Sequence, residues 1–157
     1  MKSTLVLGLG NRLMGDDGIA CRVADRLASD RTVLANADVM TGVMDLLRLT
    51  DHFRGRRRVF VIDAAFDDAP PGTVSVLDVS DLNEMTCGRK HAHGTSPADT
   101  LGLLRVVDGL EARTALSVLT ISIGSARVDE DLSPVLARAL PTITNRVRDL
   151  IAGDGWS

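Results

Sequence analysis

The chain is 157 residues long, 45% hydrophobic and 25% charged, which is the balance of a single globular domain spanning 1–157 that needs no disulfide framework. Aromatics are only 3%, with no Tyr, so Val, Leu, Ile and Ala must build the core, and the stacking platforms of single-stranded nucleic acid binders are lacking. A net charge of -3 excludes a general positive field for nucleic acid or an anionic membrane, while two cysteines, Cys21 and Cys87, fit a reducing cytosol.

Thr4-Leu5-Val6-Leu7 predicts a strand buried on both faces, too short for a signal peptide or a membrane span. The expectation is therefore a cytoplasmic protein. Gly8-Leu9-Gly10-Asn11 ends the strand, and Met14-Gly15-Asp16-Asp17 leads into a helix with Ile19, Val23 and Leu27 on its apolar face. Asp16 or Asp17 is expected to cap that helix. Val33 to Val39 predicts a second strand and Val43 to Leu49 a second helix, ending near the basic stretch Arg54-Gly55-Arg56-Arg57-Arg58, which reads as a solvated turn. Val59-Phe60-Val61-Ile62 predicts the strongest strand and ends at Asp63.

After the turn Pro70-Pro71-Gly72, Thr73 to Val79 alternates as an edge strand should. Residues 83–95 show no period and hold Cys87, His91 and His93, so they predict a long functional loop. Ser96-Pro97-Ala98-Asp99 starts a helix carrying Leu101, Leu104 and Val107. Leu116 to Ile123 predicts the last strand. Ser133-Pro134 opens a final helix with Leu136, Leu140, Ile143, Val147 and Leu150 on one face and a kink at Pro141. Strands alternating with helices predict a three-layer α/β/α sandwich around a twisted, mostly parallel sheet of about five strands.

In such a sheet, functional groups gather where the carboxyl ends of the strands meet their loops. Asp17 follows the first strand, Asp63 ends the third, and the loop before the third helix brings His93. Two carboxylates and an imidazole suit a divalent metal such as nickel or zinc, or acid–base work. A different reading starts from Gly8-Leu9-Gly10-Asn11-Arg12-Leu13, which has two glycines of a dinucleotide-binding turn but Leu13 in place of the third. Asp16-Asp17 puts negative charge where a pyrophosphate would sit. Asp38, placed near the end of the second strand, offers a ribose contact, so a non-catalytic nucleotide- or metal-binding sensor stands as the alternative function. A separate zinc or nickel site at Cys87, His91 and His93 matches no strong metal motif. Cys21 on the first helix reads as packing, and His52 has no evident partner.

Leu7-Gly8-Leu9-Gly10-Asn11-Arg12-Leu13-Met14-Gly15-Asp16-Asp17-Gly18-Ile19 resembles the N-terminal signature of the [NiFe]-hydrogenase maturation endopeptidases. Val61-Ile62-Asp63-Ala64, followed by Pro71-Gly72, is similar to that family's second motif, and His93-Gly94, with Asp99 and Leu101 beyond, to its third. The resemblance covers nearly the whole chain. It implies a peptidase that removes the C-terminal extension of a [NiFe]-hydrogenase large-subunit precursor after nickel insertion. It further implies that Asp17, Asp63 and His93 contact nickel held by that precursor and form the catalytic site, with no permanent cofactor; composition and charge argue against nucleic acid or membrane as partner. Two departures stand out: Ala20 where the family often has Gly, and Ile123-Gly124-Ser125-Ala126-Arg127 where Pro-Glu commonly follows the strand.

Overall fold

The computed structural model describes residues 1–78, 114–124 and 127–153. Strands β1 (Thr4–Leu9), β2 (Ala37–Val43), β3 (Arg58–Ala65), β4 (Val74–Asp78) and β5 (Ala115–Ser122) form one sheet in the order β2-β1-β3-β5-β4. β1 runs parallel to both β2 and β3, and β3 parallel to β5; only β4, on the edge, is antiparallel. The fold is thus the mostly parallel α/β sheet expected, and all six residues of β1 are buried as a central strand requires. The expected loop at 83–95 and the helix beginning at Ser96 lie outside the described residues.

Side chains alternate between two apolar layers, one on each face of the sheet. Val6, Phe60, Ile62, Leu119 and Ile121 pack against α1 (Ile19–Leu27) and the C-terminal helix (Pro134–Ala152). Leu5, Leu7, Val59, Val61, Leu116 and Val118 face the other way, onto Leu46 and Phe53. Ile19, Val23 and Leu27 are fully buried, each contributing about 1.5–3 kcal/mol by leaving water. Arg22 is half-buried and Asp25 and Arg26 are exposed, so the spacing of four read from the sequence holds.

Residues 33–49 differ from expectation. The Asp30 carboxylate accepts the amides of Thr32 (2.8 Å) and Val33 (3.3 Å) and starts a short helix, α2 (Arg31–Asn36), where a strand was predicted. The strand begins only at Ala37 and continues through Val43, into the predicted second helix. Pairing with β1 decides this, from Thr4↔Ala37 to Leu9↔Val43, and that contact is invisible to local periodicity. Helical geometry follows only as a 3-10 turn (Leu46–Leu49) and the single-turn α3 (Thr50–Phe53). In the C-terminal helix Leu136, Ile143, Val147 and Ile151 are buried, so Ile151 takes the place foreseen for Leu150, which packs at the margin with Leu140. Pro141 lies inside this helix, which runs on to Ala152.

The basic stretch is not a solvated turn throughout. Arg56 is only 6% exposed: its Nε donates to the His52 carbonyl oxygen at 3.0 Å, and its Nη1 donates to the Lys2 carbonyl oxygen at 2.5 Å and to Asp38. Arg58 stacks its guanidinium over the Phe60 ring at 4.7 Å. The Arg56 hydrogen bond, seconded by the Lys2 amide, holds the Asp38 carboxyl below the usual carboxylate range. Because that pKa is lowered on folding, the pair stabilises the protein fully above the unfolded value of about 4 and loses its effect as pH falls through the lowered one. Thermal unfolding of Arg56→Met should show a loss of about 2–3 kcal/mol at neutral pH, from a buried donor set removed, and less of a further loss on acidification than the parent.

Candidate active site

β1 ends at Leu9, and the chain turns through Gly10 into a 3-10 turn, Gly15–Gly18, ahead of α1. Gly10 adopts φ of 120°, and a Cβ there would lie 2.4 Å from the Asp17 carbonyl oxygen. A Cβ at Gly8 would meet Ala24 Cβ at 2.6 Å and the Ala20 carbonyl oxygen at 2.9 Å. The two glycines therefore let β1 lie against α1 and fold the loop back on itself. Asp17, 1% exposed, is brought over the end of β1, where the Asn11 amide donates to its Oδ2 at 3.1 Å. Arg12 fastens this loop from outside, donating to both Asp25 carboxylate oxygens (2.6 and 2.8 Å) and to Thr41 Oγ1 (2.8 Å). The bond to Asp25 raises the Arg12 pKa above its ordinary value.

Neither acid of the pair caps its own helix, contrary to expectation. Asp16 turns away from Asp17, and its Oδ1 accepts the Ser133 amide at 2.7 Å, immediately before the C-terminal helix. Gly15 donates to the Asp129 carbonyl oxygen (2.5 Å) and the Asp129 amide to that of Leu13 (3.2 Å), so the loops after β1 and β5 are sewn together. Asp16 is part of this seam, which separates its role from that of its neighbour.

Asp63 lies within β3 near its carboxyl end and is 6% exposed. Alternation puts it on the face of Val59 and Val61, and its Oδ1 accepts the Ala64 amide at 3.0 Å. The 3-10 turn bearing Asp17 packs against β3, so both acids stand at the same end of the sheet. Each has one carboxylate oxygen oriented by a backbone amide. His93, Cys87 and His91 lie outside the described residues. Thr120, a polar residue within the apolar run Val118-Leu119-Thr120-Ile121, is the partner of Asp63 across the β3–β5 pair.

A sequence model of the hydrogenase maturation proteases matches residues 21–149. The chain belongs to this family. A Methanocaldococcus jannaschii protein assigned to the hydrogenase maturation proteases is 27% identical over 158 aligned positions, covering 98% of this chain and 96% of its own. The [NiFe] hydrogenase maturation protease HybD of Thermococcus kodakarensis superposes with a TM-score of 0.76 at 25% identity, over 96% of this chain and 99% of the other. The E. coli hydrogenase maturating endopeptidase HybD shares the fold, with a TM-score of 0.71 at 22% identity over 99% and 94% of the two chains.

In this protease the glycine-rich turn serves packing. The space that a dinucleotide-binding turn keeps for a pyrophosphate is filled at Gly10 by the Asp17 carbonyl. Asp38 is the second residue of β2, not near its end; bound to Arg56, it lies at the opposite end of the sheet from Asp17 and Asp63. Cys21 is fully buried, and desolvation raises its thiol pKa, which suits packing and not nucleophilic attack. Ala20 is likewise buried, its carbonyl close against Gly8, so its departure from Gly is a matter of how α1 packs. Among the described residues, no helix is long and apolar enough to cross a membrane.

Proposed function

We propose that this protease removes the C-terminal extension of a [NiFe]-hydrogenase large-subunit precursor, and that it recognises nickel already inserted there through Asp17, Asp63 and His93. The observation that carries this reading is the placement of two buried, amide-oriented carboxylates at one end of the sheet, on separate segments. Buried carboxylates are costly, and a divalent cation arriving with the substrate offsets that cost. His93 enters on its motif and supplies the imidazole that, with carboxylates, suits nickel.

On this reading the metal is part of the substrate and the protease needs no cofactor of its own. Nickel docked between the acids holds the scissile peptide in a fixed orientation for attack by water. A precursor without nickel lacks that anchor, which makes cleavage conditional on loading.

The test is incubation with nickel-loaded and metal-free precursor, followed by intact mass measurement. Loss of the C-terminal peptide from the loaded form alone is the expected result. Equal cleavage of both forms overturns the nickel reading, and cleavage of neither overturns the activity.

A further inference from the structure

β5 carries two polar side chains where its neighbours on the same face are apolar. Leu116 and Val118 belong to one apolar layer, and Leu119, Ile121 and Ile123 to the opposite one. Alternation therefore sets Thr120 and Ser122 on the face of Leu116 and Val118. Each is 1% exposed, and neither hydroxyl has a hydrogen-bond partner among the described residues. A buried hydroxyl left in that state is destabilising, and valine, of nearly the same shape, would fill the position of Thr120 without that cost.

The register sets Thr120 between Asp63 on β3 and Ser75 on β4, and of these two neighbours only Asp63 carries a carboxylate. Asp63 pairs with Thr120 across the parallel strands, so both side chains leave the same face of the sheet on adjacent strands about 4.8 Å apart. Ser122 pairs with Ala65, two residues past Asp63, and has no carboxylate beside it in the ladder.

We propose that Thr120 is a positioning residue of the active site, whose hydroxyl donates to the Asp63 carboxylate in the precursor complex and aims it at the docked nickel. This rests on the proposed function and deepens it. The hydroxyl is kept in reserve: its cost is borne by the free protease and repaid when the carboxylate turns to its load. A side chain that orients a metal-contacting carboxylate changes activity without touching the substrate, by about 10–100-fold when removed.

The experiment measures kcat and KM for nickel-loaded precursor with the parent protease, Thr120→Val, Thr120→Ala, Thr120→Ser and Ser122→Ala, and the Tm of each. Thr120→Val is expected to lower kcat about tenfold with KM little changed, while its Tm stays level or rises. Thr120→Ser, which keeps the hydroxyl, should recover most of the activity, and Ser122→Ala should match the parent. Thr120→Ala, which adds no bulk, is read beside the valine variant as a second removal of the hydroxyl. Parental kcat in both Thr120→Val and Thr120→Ala overturns the inference while leaving the proposed function standing. An equal loss in Ser122→Ala also overturns it, because the effect then belongs to the strand and not to the Asp63 pairing. A parent enzyme that leaves loaded precursor intact overturns the proposed function and this inference with it.

Discussion

Asp63→Asn should reduce processing of nickel-loaded precursor by about a hundredfold or more, and Asp17→Asn should do the same. Both substitutions keep the shape of the side chain and an oxygen able to accept the Ala64 or Asn11 amide, so the folded structure survives. What they remove is the negative charge that draws a divalent cation into a buried position. Asp16→Asn is the contrast. Its partner is the Ser133 amide at the seam between two loops, so it should lower the Tm by a few degrees and leave cleavage largely intact. Gel mobility or intact mass of the precursor, with a melting curve for each variant, checks all three. If the Asp16 and Asp17 variants lose activity alike, the division of roles between the two acids is wrong.

Gly10→Ala should be the most damaging single methyl in the molecule's first motif. The residue would have to keep φ of 120°, a region that L side chains rarely adopt, and its Cβ would collide with the Asp17 carbonyl oxygen at 2.4 Å. The oxygen is backbone and cannot swing aside, so the loop itself must move. A cost of about 2–4 kcal/mol follows, lowering the Tm by roughly 5–15 °C. Because the displaced segment carries Asp17, cleavage should fall even at temperatures where the variant stays folded. Circular dichroism melting and the precursor assay at low temperature separate the two effects. A variant with parental stability and activity would mean that the loop has another conformation available.

These expectations trace back to what was and was not legible in the sequence. β1, α1, β3 and β5 were readable because burial on both faces of a strand, or on one face of a helix, leaves a local period. Asp17 and Asp63 were readable as site candidates because their motifs end strands whose carboxyl ends had to meet in a parallel sheet. Residues 33–49 were misread because one cap at Asp30 and one strand partner outweighed an ambiguous apolar pattern. Arg56 was misread because a run of arginines looks the same whether its members are solvated or one of them is buried on an aspartate from β2.

The ordinary composition of the chain, poor in aromatics and cysteine, set by itself the class of protein, the materials of the core and the short roster of groups able to do chemistry. Order along the chain then supplied the sheet and the two acids. The tertiary structure alone decided that Asp16 holds a seam while Asp17 is buried over the end of β1, that Asp38 belongs to a distant ion pair, and that Thr120 stands beside Asp63. Each of these depends on which residues pair across the sheet or between loops. Such contacts are set by register and packing over long sequence separations, and neither leaves a trace in local spacing.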